Sequence, residues 1–418
     1  MLVLNKNRSD WGEKLLGRGI TRTSTGPAIW FHAVSVGEVL LLRTILPAYR
    51  TVHPEAEIWI STTTHTGHAV AREKYPDCQV IYFPFDLTWS VRRTLDRVRP
   101  TMIVLVELEL WPNFIRQATD QRIPVILING RMSERSFRGY RRIAWMMRGL
   151  LRQLTIIAVQ TEEYGQRLMA LGAPADRVIV TGSTKYDGLI SDRQNPRSQE
   201  IRTAFGIAAN ETVFIAGSTQ APEEAYALDT YEALRPTFPQ LRLVLVPRHQ
   251  ERFQEVAELV RSRDLPLWCR TDGTCPNHAR STPTSDAQPP VLLLNTLGEL
   301  AACWGLADIA FVGGSLTNRG GQNMIEPAAY GAAVLFGPHT ANFRQVVELL
   351  RGAHAAIVVH SPEELTQTVT RLLTFPDEAR RVGQLAQGLV LRQQGATIRT
   401  MELLRAISKS PRGQNHLP

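Results

Sequence analysis

Short apolar runs alternate with amphipathic stretches along most of this chain of 418 residues. Runs rich in Val, Ile and Leu suit strands that are buried on both faces, and the amphipathic stretches between them suit helices. The alternation therefore predicts a parallel sheet that is covered by helices on both sides. In the first half of the chain, the predicted strands are residues 28–34, 57–62, 80–83, 102–106, 125–128, 156–159 and 178–181.

A polar segment that contains Pro196, residues 188–198, interrupts this pattern and predicts a linker. The rhythm then resumes with predicted strands at residues 212–216, 241–246, 291–294, 309–312, 333–336 and 355–359. The sequence thus predicts an α/β protein with two successive doubly wound, Rossmann-like domains, residues 1–190 and 191–405, followed by a flexible tail, residues 406–418. We interpret residues 272–290, which are rich in Ser, Thr, Pro and Gly, as a mobile surface insertion.

Composition narrows the class of protein. The net charge of +8 fits a partner rich in phosphate or carboxylate, such as nucleic acid, anionic lipid or a nucleotide-sugar. The basic residues form no known nucleic-acid recognition motif, so nucleic acid is the least favoured of these partners. No apolar run reaches the roughly 20 residues of a membrane span, and the first residues lack the apolar core of a signal peptide. We expect a protein of the cytoplasmic side, either dissolved or lying on a membrane surface.

The four cysteines are scattered along the chain and lack the CxxC spacing of a zinc site. We interpret Cys78, Cys269, Cys275 and Cys303 as free thiols in a reducing compartment.

Ligands of open α/β sheets bind beyond the carboxyl ends of the strands, and two such domains facing each other would form a cleft. After the first predicted strand come Ser35, Gly37 and Glu38, at the start of a predicted helix. Glu38 is placed either as a general base or simply as an acidic first-turn residue that suits the helix dipole. Position alone leaves these two interpretations equal.

After the fourth predicted strand comes the segment ELELWPN, with Glu107 and Glu109 two residues apart. Side chains at that spacing point in opposite directions along an extended chain, so we expect only one of them to face the cleft. Pro112 suits the first turn of a following helix. A structural turn anchored by Trp111 is at least as well supported as a catalytic role.

Residues 129–154 mix arginines with Phe137, Tyr140, Trp145, Met146 and Met147. This composition is typical of a surface that lies on anionic lipid or grips phosphates, and a solvated basic helix is the plainer alternative. The arginines that we single out are Arg131, Arg135 and Arg138.

Two cationic positions follow later strands. Lys185 follows the last strand of the first half and could reach a phosphate, although a lone lysine is more often a surface residue. Arg248 and His249 follow the second strand of the second half, where an arginine could hold a phosphate with two hydrogen bonds.

The strand that ends near residue 216 leads into Ser218 and Thr219 and then into a helix start with Pro222. Free N–H groups at such a helix start bind anions, and ordinary helix capping is the alternative. The richest segment is residues 311–327, where Gly313, Gly314 and Ser315 would let the backbone approach a ligand closely.

In that same segment, Asn323 and Glu326 are spaced one helical turn apart. The spacing places both side chains on one face, where Glu326 could accept hydrogen bonds from ribose hydroxyls.

Together these segments resemble the family of Kdo (3-deoxy-D-manno-octulosonic acid) transferases. The resemblance spans residues 29–343, and it is specific because of the joint order of many motifs rather than any single one. In chain order the motifs are HAVSVGEV, TTTHTG, FPFD, ELELWPN, INGRMSERSFRGY, GSTKYD, AGSTQAPEE, PRHQERF, VGGSL, GGQNMIEP and GPHTANF.

The resemblance implies a GT-B fold and an inverting transfer of Kdo from CMP-Kdo to a lipid A precursor, without a metal or another cofactor. Glu38 would be the base, Arg248 would hold the donor phosphate, and Lys185 would approach the phosphate or the Kdo carboxylate. The implied donor-binding set is Lys185, Ser218, Thr219, Arg248, His249, Gly313, Gly314, Ser315, Asn323 and Glu326. The acceptor- or lipid-binding set is Ser35, Gly37, Glu107, Arg131, Arg135 and Arg138.

The chain departs from the family pattern in three respects. Gln220 and Gln322 stand where the family usually has histidine, so these positions cannot carry a positive charge. The first residues also lack the apolar anchor helix that is usual at the N-terminus in the family, so either attachment rests on the basic-aromatic region or the true start of the chain lies further upstream. On the first alternative we expect peripheral attachment to the cytoplasmic face of the inner membrane. The alternatives are a transferase with another nucleotide-sugar donor and a non-catalytic relative.

Overall fold

The computed structural model describes residues 11–275 and 288–409. The chain forms two compact units: Met1–Asp187 with Gln393–Pro418, and Gly188–Arg392. The chain therefore leaves the first unit, completes the second one, and returns to the first.

The first unit is built on a sheet of seven parallel strands in the spatial order β3-β2-β1-β4-β5-β6-β7. These strands are β1 Ala28–His32, β2 Glu57–Thr62, β3 Gln79–Tyr82, β4 Met102–Val106, β5 Val125–Gly130, β6 Ile156–Val159 and β7 Val178–Val180. The helices between and before them are α1 Trp11–Leu16, α2 Val36–Val52, α3 His65–Lys74, α4 Thr88–Val98, α5 Pro112–Asp120, α6 Glu134–Arg141, α7 Ala144–Leu151 and α8 Glu162–Ala170.

Both faces of this sheet are buried, which explains why its strands are almost continuously apolar. In β1, Ala28 and Trp30 belong to the core on one face, whereas Ile29 and Phe31 belong to the core on the other. This alternation follows from the two-residue period of a strand, and burial on two faces leaves no polar side in the pattern.

The second unit repeats the architecture with seven parallel strands in the order β10-β11-β9-β8-β12-β13-β14. They are β8 Thr212–Thr219, β9 Leu241–Pro247, β10 Leu267–Cys269, β11 Val291–Leu293, β12 Ile309–Val312, β13 Ala333–Phe336 and β14 Ile357–Val358. Its helices are α9 Pro196–Ala204, α10 Glu223–Leu234, α11 Phe253–Arg261, α12 Leu300–Cys303, α13 Ile325–Ala329, α14 Arg344–Gly352, α15 Pro362–Thr374 and α16 Pro376–Arg392.

The last described helix, α17 (Ala396–Lys409), belongs to the first unit and not to the second. The predicted boundary at residue 405 is therefore wrong. Met401 and Leu404 are buried in the core that α2 covers, and Asp187 accepts hydrogen bonds from the N–H groups of Gly395 and Thr397. The helix also continues into the predicted tail, whose residues 410–418 lie outside the described part of the chain.

The prediction of two doubly wound units is confirmed, with one strand missed. The missed strand, β10, lies at the edge of its sheet and has only three residues, too few for a clear pattern. The predicted insertion lies mostly outside the described residues, although Cys275 at its start is buried. All four cysteines are free and buried, as predicted. Within the described residues, no helix is long and apolar enough to span a bilayer.

In each sheet, the strands that follow the first strand in the chain are added first on one side of it and then on the other, and this switch point marks the usual ligand site of such a fold. In the first unit it lies between β1 and β4, and in the second between β8 and β12. The ends of these four strands, together with the loops and helix starts that follow them, contain most of the predicted site residues.

Candidate functional site

The turn between β1 and α2 fixes the carboxylate of Glu38 with two hydrogen bonds. The Val34 N–H donates to Oε2 at 2.8 Å, and the Ser35 hydroxyl donates to Oε1 at 2.9 Å. Ser35 is also the N-cap of α2 and accepts a bond from the Glu38 N–H. Glu38 is 8% exposed, and Gly37 beside it is exposed. Glu38 is therefore a capping residue in the first turn, and its carboxylate is held in one orientation.

The segment after β4 does not alternate as predicted. Glu107 adopts a left-handed backbone conformation with φ of 60°, so the chain turns there instead of continuing extended. Glu109 then accepts a hydrogen bond from the Trp111 indole at 3.2 Å. Pro112 begins α5, as predicted. The turn at Glu107 removes the basis for expecting only one of the two glutamates to face the site, and both interact electrostatically with Glu38.

Glu38, Glu107 and Glu109 form a cluster of three carboxyl groups at the switch point of the first unit, which we call the carboxylate cluster. Burial raises the pKa of Glu38, the bonds from Val34 and Ser35 oppose this, and the charge of Glu107 raises it further. Burial and the charge of Glu38 raise the pKa of Glu109 to about 7. Carboxyl groups with pKa values shifted toward neutrality are the usual components of acid–base sites.

Neighbouring loops hold this cluster in place. The Thr64 hydroxyl, in the TTTHTG segment, donates to the Val34 carbonyl at 3.2 Å. In the FPFD segment, Asp86 accepts hydrogen bonds from the N–H groups of Asn113 and Phe114 and so caps α5. The motifs that surround the glutamates therefore have structural roles of their own.

His32, at the end of β1, is fully buried and stacks on Phe83 with ring centroids 3.8 Å apart. Its Nδ1 lies 3.0 Å from the Ser61 hydroxyl, and burial lowers its pKa to about 3. The imidazole is therefore neutral at physiological pH and does not compete with Glu38 for a proton.

The predicted lipid-binding segment forms α6 and α7. Arg131, Arg135 and Arg138 are exposed, and Arg138 pairs with Glu134 at 2.9 Å. The apolar residues of the segment divide into two groups. Phe137, Tyr140 and Met147 pack on the core, whereas Trp145 is 80% exposed and Met146 is 37% exposed. A lipid-facing surface in this segment therefore rests on Trp145 and Met146, fewer apolar residues than the sequence suggested.

The cations predicted to bind the donor are open to solvent. Lys185 lies in a short 3₁₀ turn after β7, and Arg248 follows β9. Both side chains are exposed, and neither has a hydrogen-bond or ion-pair partner among the described residues. His249 is also exposed, with Nδ1 4.0 Å from a Glu251 oxygen. Lys185 belongs to the first unit and Arg248 to the second.

The predicted anion site at the start of α10 already contains a carboxylate of the protein. Glu223 is fully buried, and its two oxygens accept the N–H groups of Gln220 (3.0 Å), Gly314 (2.6 Å), Ser315 (2.9 Å) and Leu316 (2.9 Å). Burial raises the pKa of Glu223, and these bonds oppose it. Glu223 thus occupies the N–H groups of Gly314, Ser315 and Leu316, which are the backbone donors at the start of the glycine-rich loop.

Several residues of the predicted donor set have structural roles instead. The buried Ser315 hydroxyl donates to the Val312 carbonyl and accepts from the Gly337 N–H, so Ser315 has no free donor for a nucleotide. A Cβ on Gly313 would lie 2.5 Å from the Thr219 Cα, so this glycine is required by packing. Thr219 itself is fully buried, and Ser218, with φ of 54°, is 8% exposed.

Asn323 and Glu326 are joined directly, but not through the helical spacing that the sequence suggested. Asn323 Nδ2 donates to Glu326 Oε1 at 2.9 Å, and Asn323 Oδ1 accepts from the Ile325 N–H. Asn323 lies before α13 and not within it. Both side chains are half-buried, which leaves part of the pair accessible to a ligand.

Sequence reasoning missed two glutamates. Glu109 was not chosen because the alternation of side chains along an extended chain allowed only one glutamate to face the site. The role of Glu223 is visible only in the folded protein, where α10 lies against the loop after β12. Among residues 11–275 and 288–409, no three His, Cys, Asp or Glu side chains are grouped to hold a metal ion.

Solved structures place this fold in a known class. A UDP-GlcNAc 2-epimerase from Neisseria meningitidis matches 90% of this chain and 99% of its own with a TM-score of 0.59 at 14% identity. A glycosyltransferase from Rickettsia africae matches 93% of this chain and 100% of its own with a TM-score of 0.57 at 13% identity. Together with the two doubly wound sheets, these matches define the GT-B fold.

Sequence comparison identifies the family within that class. Residues 9–188 match the family described as 3-deoxy-D-manno-octulosonic-acid transferase (kdotransferase). The 3-deoxy-D-manno-octulosonic acid transferase of Haemophilus influenzae is 32% identical over 379 residues, which cover 90% of this chain and 86% of that protein. The chain belongs to the Kdo transferase family and is a glycosyltransferase, as the resemblance predicted.

Proposed function

We propose that this chain transfers Kdo from CMP-Kdo to lipid IVA, a phosphorylated lipid A precursor, with inversion of the anomeric centre, in lipopolysaccharide core biosynthesis. The observation that carries the proposal is the carboxylate cluster at the switch point of the first unit, in a chain of the Kdo transferase family. The resemblance of the donor segments to the family supports CMP-Kdo as the donor.

In this proposal Glu38 removes the proton from the acceptor hydroxyl. Burial and the charge of Glu107 raise the pKa of Glu38, which makes it a stronger base than an ordinary surface glutamate. Glu109, with a pKa of about 7, keeps its proton in a large fraction of molecules at neutral pH. That proton limits the negative charge of the cluster, so Glu38 can stay ionised beside it.

One base is sufficient for the bond changes. As the proton moves to Glu38, the acceptor oxygen bonds to the anomeric carbon of Kdo and the bond to the phosphate oxygen breaks. CMP leaves with the bonding electrons, and because it is a good leaving group, it needs no second carboxyl acid of the kind that glycosidases use. Arg248 and Lys185, both exposed and unpaired within the described residues, offset the charge that grows on the departing phosphate.

The acceptor is a membrane lipid, so the proposal includes peripheral attachment to the inner membrane. Trp145 and Met146 supply exposed apolar area on α7, and Arg131, Arg135 and Arg138 lie on the preceding segment. Aromatic and basic residues together favour the interface of an anionic bilayer. Sedimentation with vesicles of phosphatidylglycerol and phosphatidylcholine should show weaker binding for Trp145→Ala, whereas Leu297→Ala, another exposed apolar residue, should bind like the wild type.

The test of the transfer reaction is the mass of the product formed from lipid IVA and CMP-Kdo. We expect the acceptor mass to increase by one or more Kdo residues and free CMP to appear in equal amount. An unchanged acceptor, in the presence of folded protein and anionic lipid, contradicts the proposal.

A second donor class remains worth a direct test because Gln220 and Gln322 are uncharged. Thermal unfolding with CMP, UDP and GDP distinguishes the donors, since a nucleotide that binds the folded state raises its stability. We expect stabilisation by CMP. Stabilisation by UDP without an effect of CMP would favour a different nucleotide-sugar.

A further inference from the structure

Two glutamines from different elements approach the same glycine. An ideal Cβ on Gly314 would lie 3.3 Å from Nε2 of Gln322 and 3.5 Å from Nε2 of Gln220. Gln220 directly follows β8, and Gln322 lies at the end of the loop after β12. Those two strands flank the switch point of the second unit, so both amide groups lie at its ligand edge.

These two amide groups are available for a ligand. Both side chains are half-buried, and neither side-chain amide has a hydrogen-bond partner among the described residues. The backbone around them is different, because Glu223 takes the N–H groups of Gly314, Ser315, Leu316 and Gln220. These four backbone N–H groups are therefore not available to a ligand at this glycine, whereas the two side-chain amides are.

Gly314 itself leaves room for both amides. Its φ is +65°, a conformation that other residues rarely adopt, and a methyl group there would contact both glutamines. The loop thus keeps the two Nε2 atoms on one side of a residue that has no side chain of its own.

We infer that Gln220 and Gln322 form an uncharged pair of hydrogen-bond donors, the glutamine pair, that binds one acidic group of the sugar-nucleotide donor, either its phosphate or its sugar carboxylate. The inference rests on the proposed function. Each amide has two N–H donors and no ionisable proton. The pair therefore selects an oxyanion by hydrogen bonding alone, and its contribution to donor binding does not change with pH.

The first test is calorimetric titration of CMP and of freshly prepared CMP-Kdo into the wild type, Gln220→Ala, Gln322→Ala and the double variant. We expect each single substitution to weaken binding about tenfold, the effect of one hydrogen bond to a charged group. Because both amides bind one group, the double variant should lose less than the product of the single effects. Gln367→Ala, an exposed glutamine on α15, serves as the control and should bind like the wild type.

A comparison of CMP with CMP-Kdo identifies which acidic group of the donor the glutamine pair binds. Weaker binding of both CMP and CMP-Kdo assigns the pair to the phosphate, and weaker binding of CMP-Kdo alone assigns it to the sugar carboxylate. Unchanged affinity of the double variant for both ligands overturns the inference. A wild type that binds neither ligand contradicts the proposed function instead, so the two failures are separable.

Three further variants keep the test valid if alanine disturbs the loop. Gln220→Glu and Gln322→Glu preserve the shape but replace the donating amide with an acidic group, so the glutamine pair predicts a larger loss than alanine causes. For Gln322→His, the ratio of the CMP-Kdo affinity at pH 5.5 to that at pH 8 should be larger than the same ratio for the wild type. The reason is that histidine gains a proton near pH 6.5. If this ratio of affinities is the same in Gln322→His and in the wild type, the result would also contradict the glutamine pair.

Discussion

Glu38 and Glu223 occupy corresponding places in the two units and have opposite environments. Each lies in the first turn of the helix that follows the first strand of its unit, at the switch point of the sheet. Glu38 has two hydrogen-bond donors and two acidic neighbours, Glu107 and Glu109. Glu223 is fully buried and has four backbone N–H donors.

The comparison shows that position in a fold does not decide what a carboxylate does. Four donors satisfy the oxygens of Glu223, so it stabilises the loop after β12 and has no capacity left for a proton acceptor role. Two donors orient Glu38, while burial and the charge of Glu107 raise its pKa. The number of donors and the sign of neighbouring charges therefore separate a structural glutamate from a candidate base.

The largest expected effect is on catalysis, through Glu38→Gln. Loss of a general base costs about 10²–10⁴ in rate, whereas the amide keeps the shape and can still accept a bond from the turn. Initial rates of Kdo transfer provide the measurement. The matched control is Glu162→Gln, an exposed first-turn residue of α8, which should retain the wild-type rate. If Glu38→Gln and Glu162→Gln transfer Kdo at comparable rates, Glu38 is not the base.

The next effect is on stability, through Glu223→Gln. The amide nitrogen would face N–H groups that now donate to a carboxylate oxygen, so buried donors lose their acceptor. We expect a loss of about 1–3 kcal/mol in the free energy of unfolding, measured with urea. Glu363→Gln, in the exposed first turn of α15, should change little. An unaltered urea midpoint for Glu223→Gln would mean that its four hydrogen bonds add nothing to stability.

A third prediction concerns the pH dependence of stability and Glu109. Its carboxyl has a pKa of about 7 in the folded protein and about 4.5 when unfolded, so the folded state binds more protons between these values. This group therefore lowers stability as the pH rises from 4.5 to 7. Glu109→Gln removes that contribution, and urea titrations across this range should show a flatter decline than in the wild type. Parallel curves for the two proteins would be inconsistent with a raised pKa.

The smallest effect is a shift in the pH profile of activity, through Glu107→Gln. The charge of Glu107 raises the pKa of Glu38, so its removal should lower that pKa. The acidic limb of kcat/KM should then move to lower pH, because the base stays ionised in more acidic solution. A limb that stays in place would show that Glu107 does not act on the base.

Much of the fold followed from local patterns in the sequence. The runs that form β2, β4, β6, β12 and β13 were predicted with their observed bounds. Four of them are apolar throughout and are followed by a polar residue or a glycine, whereas β2 (EIWIST) has an apolar centre between polar ends. Ser35 as a cap and Pro112 as a helix start were also visible, since both act through their own backbone geometry. The edge strand β10 was too short to give such a signal.

The site was less predictable where one backbone dihedral angle changes the direction of the chain. The alternation rule failed at Glu107 because its left-handed conformation ends the extended chain on which the rule depends. Residues of the glycine-rich loop were correctly placed at a ligand edge of the fold. Their binding capacity could not be judged from sequence, because the carboxylate that occupies the loop lies 91 or more positions earlier in the chain.

The sequence by itself determined two doubly wound sheets, the strand ends that meet at their switch points, and the family of the chain, because the period of the apolar residues, the turn residues and the order of the motifs are local properties. The tertiary structure alone decided that α17 completes the first unit, that Glu223 fills the loop after β12, and that Gln220 and Gln322 meet at Gly314. Each of these depends on contacts between residues far apart in the chain. Such contacts depend on which hydrogen-bond partners the buried polar groups have in the folded protein, and a local sequence pattern does not contain that information.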